Sequence, residues 1–144
     1  MENTVIKDLS PFKCVLLIDD DDTSLFLSEL IIKRNKFAEH THKINNGDDA
    51  LIFIEENCIG FVDEISNQCP DLVFLDINMP GMDGFSVLES IKKMNLSGEV
   101  PMKIFMLSSS NSARDIEYAK KLGVDGFINK PLSAVKLSGI LNAA

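Results

Sequence analysis

Several short apolar runs of the sequence each end on polar side chains that can bind ions or donate hydrogen bonds. CVLLI at 14–18 runs into the carboxylates of residues 19–22, and DLVFLDI at 71–77 carries the carboxylate of Asp76. KIFML at 103–107 is followed by Ser108, and DGFI at 125–128 is followed within two residues by Lys130. Together these groups would place carboxylates, a hydroxyl and an ammonium group in one site.

Such a set has a definite chemistry. Crowded carboxylates repel one another, and a hard divalent cation removes the conflict. Mg²⁺ suits the set because it binds a few carboxylate or carbonyl oxygens and keeps several waters, with Mn²⁺ as an alternative. The Lys130 ammonium can pair with a carboxylate or with a phosphoryl oxygen. The set therefore predicts a phosphoryl-transfer site in which one carboxylate is the nucleophile.

The position of each acid suggests its role. Asp76 stands alone at the end of its apolar run, which makes it the best nucleophile, and Asp19 and Asp20 are then predicted to hold the metal. The Pro-Gly and Asp-Gly pairs within residues 80–84 favour a sharp bend. Such a bend can turn the backbone carbonyl of Asn78 toward the same metal.

Strand-like and helix-like periods alternate along the chain and indicate how these groups are positioned. The apolar runs have strand length, and a weaker strand, EHTHKI at 39–44, is expected at a sheet edge. The predicted helices carry apolar markers at helical spacing: Leu27, Leu30 and Ile31; Leu51, Ile54, Cys58, Phe61 and Ile65; Phe85, Leu88 and Ile91; Ile116, Ala119 and Leu122; Leu137, Ile140 and Leu141. Asp21 or Asp22, Ser112 and Ser133 are expected helix caps. The pattern predicts an α/β fold with an open, doubly wound parallel sheet, whose strand ends meet at one edge.

Composition narrows the class of protein. The net charge of −8 argues against binding to nucleic acid or to an anionic membrane. The sequence shows neither a signal peptide nor a membrane span. The odd number of cysteines favours a reducing compartment over a disulfide framework. We therefore expect a cytoplasmic protein, with a lead-in at residues 1–12 and one domain at 13–144.

Four sequence blocks resemble the signature of the response-regulator receiver domain of two-component signalling. They are VLLIDDDD, DLVFLDINMPGMDGF, KIFMLSSS and GVDGFINKPL, and they follow the family's order from about residue 13 to 142. The resemblance implies a flavodoxin-like fold with five helices and a five-stranded parallel sheet in the order 2-1-3-4-5. It also implies that Asp76 is the phosphoacceptor, that Asp20 is the more direct Mg²⁺ ligand of the Asp19–Asp20 pair, and that Asn78 supplies a carbonyl.

The resemblance assigns further roles near the last two strands. Ser108 matches the hydroxyl that moves to hold the phosphoryl group, where threonine is commoner in the family. Lys130 matches the family's lysine, and Pro131 after it is expected to be cis. Phe127 matches the switch aromatic, which links the site to the face of the fourth helix, fifth strand and fifth helix. The segment 55–71 looks longer than usual, so we expect an extended second helix or an extra turn.

The resemblance implies a phosphorylation-controlled switch rather than an enzyme with turnover. The phosphoryl donor would be a sensor histidine kinase or a histidine phosphotransfer protein. The chain ends at Ala144 without an output domain, so we expect it to change its binding to a partner protein or to relay the phosphoryl group. The alternatives are a haloacid-dehalogenase-like phosphatase, which normally has a second acid where this chain has Asn78, and a receiver-like module that binds without phosphorylation.

Overall fold

Five strands alternate with five helices along the chain. The computed structural model describes residues 10–60, 68–94, 96 and 102–142. The elements are β1 (Phe12–Ile18), α1 (Asp22–Arg34), β2 (Ala38–Ile44), α2 (Gly47–Cys58), β3 (Leu72–Asp76), α3 (Gly84–Lys93), β4 (Lys103–Ser108), α4 (Ala113–Lys121), β5 (Gly126–Asn129) and α5 (Ala134–Asn142). The predicted alternation of strand and helix is confirmed.

The five strands form one parallel sheet in the order β2-β1-β3-β4-β5. The expected order and the doubly wound class are therefore confirmed, with β2 at an edge. The strand register brings the carboxyl ends together, since Ile18 pairs with Leu75 and Asp76 pairs with Leu107. The loops that follow β1, β3, β4 and β5 consequently open on the same edge of the sheet.

Alternating side chains of the central strands pack on opposite faces of the sheet. Leu16 and Leu75 belong to a buried cluster with residues of α2, α3 and α4. Leu17 and Phe74 belong to a second cluster with residues of α1 and α5. All five residues of β3 are buried. Burial on both faces explains the continuous apolar run of β3 and holds Asp76 at the end of a rigid strand.

The predicted start of β1 and some of the predicted buried residues of α1 and α5 are wrong. β1 begins at Phe12, which the sequence had placed in the lead-in. The buried residues of α1 are Leu25, Ser28 and Ile32, whereas Leu27 faces solvent. Apolar residues surround α1 on several sides, so contact with the sheet, rather than the sequence pattern, decides which stripe is buried. Leu141 of α5 is likewise exposed.

The segment after α2 is only partly described. α2 ends at Cys58, followed by Ile59 and Gly60. The markers Phe61 and Ile65, together with the rest of residues 61–67 in the middle of the lengthened segment, lie outside the described residues. No helix in the described part of the chain has both the length and the apolar character needed to cross a membrane.

The expectation against a disulfide is wrong. Cys58 and Cys69 form a disulfide with their Cα atoms 5.0 Å apart, and Cys14 is a buried free thiol. Sequence spacing could not identify the pair, because the fold, rather than a short motif, brings the end of α2 beside the start of β3.

Candidate functional site

The loops at the carboxyl edge bring four of the predicted groups into one cluster. Carboxylate oxygens of Asp19, Asp20 and Asp76 lie within 4.8 Å of one another. The Lys130 ammonium lies 2.7 Å from Asp19 Oδ2 and 3.4 Å from Asp76 Oδ1. Three acids and one lysine, predicted from the ends of three separate strands, thus share one site.

Asp19 is held by neighbours in the first turn of α1. Its Oδ1 accepts a hydrogen bond from the Asp21 amide at 3.0 Å, and its Oδ2 accepts one from the Ser24 hydroxyl at 2.7 Å. Asp21 also caps α1, because its side chain accepts from the amides of Thr23 and Ser24. The role of Ser24 was not predicted, although its position one turn into a helix that starts beside Asp19 was the available signal. These contacts orient Asp19 before any ligand arrives.

The Asp76 carboxylate sits in an environment that disfavours its charge. The residue is only 5% exposed. Burial, with added repulsion from Asp19, raises the pKa of Asp76 to about 6, although the Lys130 ammonium opposes the shift. A divalent cation beside Asp76 would relieve this cost. The three carboxylates therefore suit a hard cation, with exposed Asp20 on the solvent side.

A tight turn follows Asp76. The Gly84 amide donates to the Ile77 carbonyl at 2.8 Å, which closes the turn at the start of α3. A Cβ on Gly84 would collide with the backbone carbonyl oxygen of Asp76, so glycine is required by this close approach. Gly81 has a φ of +79°, a backbone conformation that glycine adopts readily. Asn78 is exposed on this turn, two residues beyond Asp76.

Ser108 and Lys130 are connected through the ends of β4 and β5. Ser108 is fully buried, and its hydroxyl oxygen accepts a hydrogen bond from the Ser110 amide at 3.0 Å. Its carbonyl accepts from the Lys130 amide at 2.8 Å. The hydroxyl proton of Ser108 is not used in the bond to Ser110, so it can be donated to another oxygen.

The loop that carries Lys130 is braced from α5. The peptide bond between Lys130 and Pro131 is cis. The Lys136 ammonium donates to the carbonyls of Asn129 and Pro131 at 2.6 and 2.9 Å. This brace was not predicted, because nothing in the local sequence separates Lys136 from a surface lysine. Burial alone lowers the pKa of Lys130, but its bonds and attraction to Asp19 and Asp76 outweigh burial and raise it.

Phe127 lies on β5 beside this site. It pairs in register with Met106 of β4 and packs, partly buried, on the cluster shared with α2, α3 and α4. Ser108 pairs with Asn129 on the same two strands. Phe127 is thus near Ser108 along the sheet, as the switch hypothesis requires, and its movement stays a prediction.

Without a divalent cation, Asp76→Asn is expected to stabilise the protein at pH 7. Asp76 ionises above about pH 6 in the folded protein but already above about pH 4 in the unfolded chain. At pH 7 the buried charge therefore lowers the free energy of unfolding. Below about pH 4 the residue is protonated in both states, and this cost is absent. The free energy of unfolding should rise by up to about 3 kcal/mol at pH 7 and the gain should fade between pH 6 and 4. Urea unfolding with a chelator present measures it.

The exposed Asp20 supplies the matched control for this measurement. Asp20→Asn removes the same charge from a solvated position, so a smaller gain is expected. Mg²⁺ should stabilise the wild type more than the Asp76→Asn variant. An Asp76→Asn variant that is no more stable than wild type at pH 7 would contradict the electrostatic description of the site.

Comparison with known proteins agrees with this geometry. The sequence profile of the response regulator receiver domain matches residues 15–142. The nitrate/nitrite response regulator NarL of Escherichia coli is 39% identical over 75 residues, which cover 52% of this chain and 33% of NarL. The two-component response regulator ORR1 of japonica rice is 29% identical over 132 residues, covering 90% of this chain and 54% of ORR1. The chain thus spans between a third and about half of these relatives.

Solved structures show the same architecture. A two-component response regulator from Cytophaga hutchinsonii superposes with a TM-score of 0.74 at 31% identity, covering 91% of this chain and 95% of that one. The receiver domain of the Arabidopsis thaliana histidine kinase CKI1, solved with Mg²⁺ and BeF₃⁻, has a TM-score of 0.75 at 25% identity, with coverages of 91% and 89%. The parallel sheet and its acidic edge define a receiver-type α/β protein. The chain belongs to the response regulator receiver domain family.

Proposed function

We propose that this chain is a phosphorylation-controlled switch that accepts a phosphoryl group on Asp76 in the presence of Mg²⁺. The observation that carries the proposal is the contact of Lys130 with both Asp19 and Asp76 inside a cluster of three carboxylates. The donor would be a sensor histidine kinase or a histidine phosphotransfer protein. The predicted cytoplasmic location accords with such donors and remains part of the proposal.

The chemistry follows from the positions of the side chains. An oxygen of Asp76 attacks the phosphorus atom, and the bond from phosphorus to the donor's leaving group breaks with its electron pair. Mg²⁺, held by Asp19, Asp20, Asp76 and the Asn78 carbonyl, would neutralise charge on the phosphoryl oxygens. Lys130 pairs with one of these oxygens, and the Ser108 hydroxyl donates to another. The CKI1 receiver, solved with Mg²⁺ and BeF₃⁻, supports this assignment by similarity.

The phosphoryl group would change binding elsewhere on the surface. It adds charge beside buried Ser108, and movement of that hydroxyl would alter the packing around Phe127. Phe127 lies on β5, the edge strand next to β4, and so belongs to the face of α4, β5 and α5. A downstream protein is expected to bind this face, or the phosphoryl group passes onward in a relay. The net charge of −8 disfavours nucleic acid and anionic membranes as partners.

Incubation with acetyl phosphate tests this proposal without requiring the natural donor. We expect one phosphoryl group per chain by intact mass, with Mg²⁺ required and a chelator preventing uptake. Release of phosphate from small phosphate esters should not be sustained over many turnovers, because the chain is expected to catalyse only its own phosphorylation and the loss of the phosphoryl group from Asp76. Sustained turnover would instead support the haloacid-dehalogenase-like alternative, and failure to take up any phosphoryl group would support the binding-only module.

An exposed apolar surface on α1 is a suitable docking site for the protein donor. Phe26 and Leu27 are 58% and 49% exposed. They lie within one helical turn of Ser24, whose hydroxyl contacts Asp19. A donor that covers these side chains would therefore sit at the rim of the site and bury apolar surface as it delivers its phosphoryl group.

Replacing both α1 side chains separates donor docking from chemistry. Phe26→Ala with Leu27→Ala is expected to lower the phosphotransfer rate from a protein donor on the order of tenfold and to leave uptake from acetyl phosphate unchanged. Radiolabel transfer measures both rates. Ile52→Ala is the control, because Ile52 is similarly exposed, at 52%, but lies on α2. Equal slowing with both donors would contradict a docking role.

A further inference from the structure

The disulfide joins two elements at the edge of the sheet opposite Asp76. Cys58 is the last residue of α2 and is fully buried. Cys69 is partly buried and lies three residues before β3 begins at Leu72. The bond spans 11 positions of the sequence. It therefore ties the carboxyl end of α2 to the chain that enters the central strand.

The chain near Cys69 is also held to β1 without the disulfide. The Asp71 carboxylate accepts hydrogen bonds from the amides of Lys13 and Cys14, each at 3.0 Å. The Asp71 amide donates to the Cys14 carbonyl at 3.0 Å, and the Cys14 thiol donates to the Gln68 carbonyl at 3.4 Å. Breaking the disulfide would leave these contacts in place. The end of α2, rather than β3, is the part that would be released.

We propose that Cys58 and Cys69 form a reversible, redox-sensitive staple that controls the stability of the carboxyl end of α2 and leaves the Asp76 site unchanged. The pair is a modification site for thiol–disulfide exchange, separate from phosphorylation. Oxidised and reduced forms would both fold, because neither cysteine lies in a strand of the sheet and Cys58 can stay buried in its apolar cluster as a thiol.

The exchange reaction balances with a small disulfide such as glutathione disulfide as oxidant. The thiolate of Cys69, the more exposed of the two, attacks one sulfur of the reagent and releases one thiolate, forming a mixed disulfide. The Cys58 thiolate then attacks the Cys69 sulfur and releases the second thiolate. Two electrons pass from the protein to the reagent, and the two thiol protons end on the released thiols. Excess small thiol reverses both steps.

Cys14 does not compete for this pairing. Burial, with the nearby charge of Asp71, raises the pKa of the Cys14 thiol to about 12. At neutral pH the thiol is therefore protonated and is a poor nucleophile. Its sulfur already donates a hydrogen bond to the carbonyl of Gln68. Cys14 consequently stays reduced while Cys58 and Cys69 exchange.

The distance along β3 separates the staple from the phosphoacceptor. β3 spans Leu72–Asp76, and five residues of strand extend ~16 Å. The strand is paired on both sides, with β1 and with β4. A change at the end of α2 should therefore reach Asp76 only weakly.

Reduction of the native wild-type protein in a glutathione buffer tests the staple directly. Alkylation and mass spectrometry should find one free thiol in the oxidised form and three in the reduced form. The melting temperature should fall by about 5–10 °C on reduction. Hydrogen exchange should quicken at the last turn of α2 and stay unchanged in β3. A disulfide that resists native reduction, or an unchanged melting temperature, would overturn the proposal.

Variants distinguish the staple from a general effect of thiols. Cys58→Ala with Cys69→Ala should melt at the same temperature with and without reductant, and Cys14→Ala should retain the full wild-type response. Under glutathione disulfide, Cys58→Ala alone should keep Cys14 as a free thiol and carry glutathione on Cys69, whereas a bond between Cys14 and Cys69 would contradict the pairing. Uptake from acetyl phosphate, per folded molecule, should differ less than twofold between redox forms. A larger difference would overturn the separation from the Asp76 site.

Discussion

Asp76→Asn is expected to lower phosphoryl uptake from acetyl phosphate on the order of 10³-fold or more. The amide is nearly the same size as the carboxylate, so the turn at Gly84 and the packing of β3 should be preserved. What it lacks is the anionic oxygen that attacks phosphorus. The initial rate of radiolabel incorporation at saturating Mg²⁺ measures the loss.

The control for this experiment is another acid near the site. Asp22→Asn removes one negative charge from an exposed position at the start of α1 and should take up phosphoryl groups at the wild-type rate. The comparison separates the nucleophile from a general effect of net charge. If Asp76→Asn retains uptake within tenfold of wild type, another side chain is the acceptor.

Lys130→Ala is expected to uncouple phosphorylation from partner binding while Mg²⁺ still binds. Lys130 pairs with Asp19 and Asp76, so its removal takes away a positive charge that competes with the metal. Mg²⁺ affinity should therefore be retained or increased. A phosphoryl oxygen would lose its ammonium partner, so we expect phosphoryl uptake to fall on the order of 10²-fold. Any Lys130→Ala protein that is phosphorylated should bind the partner no better than the unmodified form.

Two measurements together test the role of Lys130. Calorimetry gives the Mg²⁺ affinity, and pull-down with and without beryllofluoride gives the coupling to a downstream partner. Lys93→Ala, an exposed lysine at the end of α3, should behave as wild type in both. Normal coupling in Lys130→Ala, or a Mg²⁺ affinity reduced tenfold, would contradict the assignment.

The central parts of the site could be predicted because of a simple geometric rule. Parallel strands share one carboxyl edge, so polar residues that follow separate apolar runs must converge there. Asp19, Asp76 and Lys130 meet for this reason, at 2.7 and 3.4 Å across the two ion pairs. The strand order itself came from the family resemblance, since periodicity alone does not specify which strands are neighbours.

Other features depend on tertiary geometry that a single sequence does not reveal. Ser24 and Lys136 are ordinary surface residue types until the fold brings them to Asp19 and to the Lys130 loop. The buried stripe of α1 was misassigned because apolar side chains surround that helix. The bond between Cys58 and Cys69 was missed because proximity in space, and no motif, defines it.

Chemical mapping of the phosphoryl group tests the central claim most directly. After incubation with acetyl phosphate and Mg²⁺, borohydride reduces an acyl phosphate to an alcohol and so marks the side chain that carried it. Peptide mass spectrometry should locate this mark at Asp76 in wild type and should find none when a chelator replaces Mg²⁺. A mark at Asp19 or Asp20, or a stable phosphate on Ser108, would contradict the proposed phosphoacceptor.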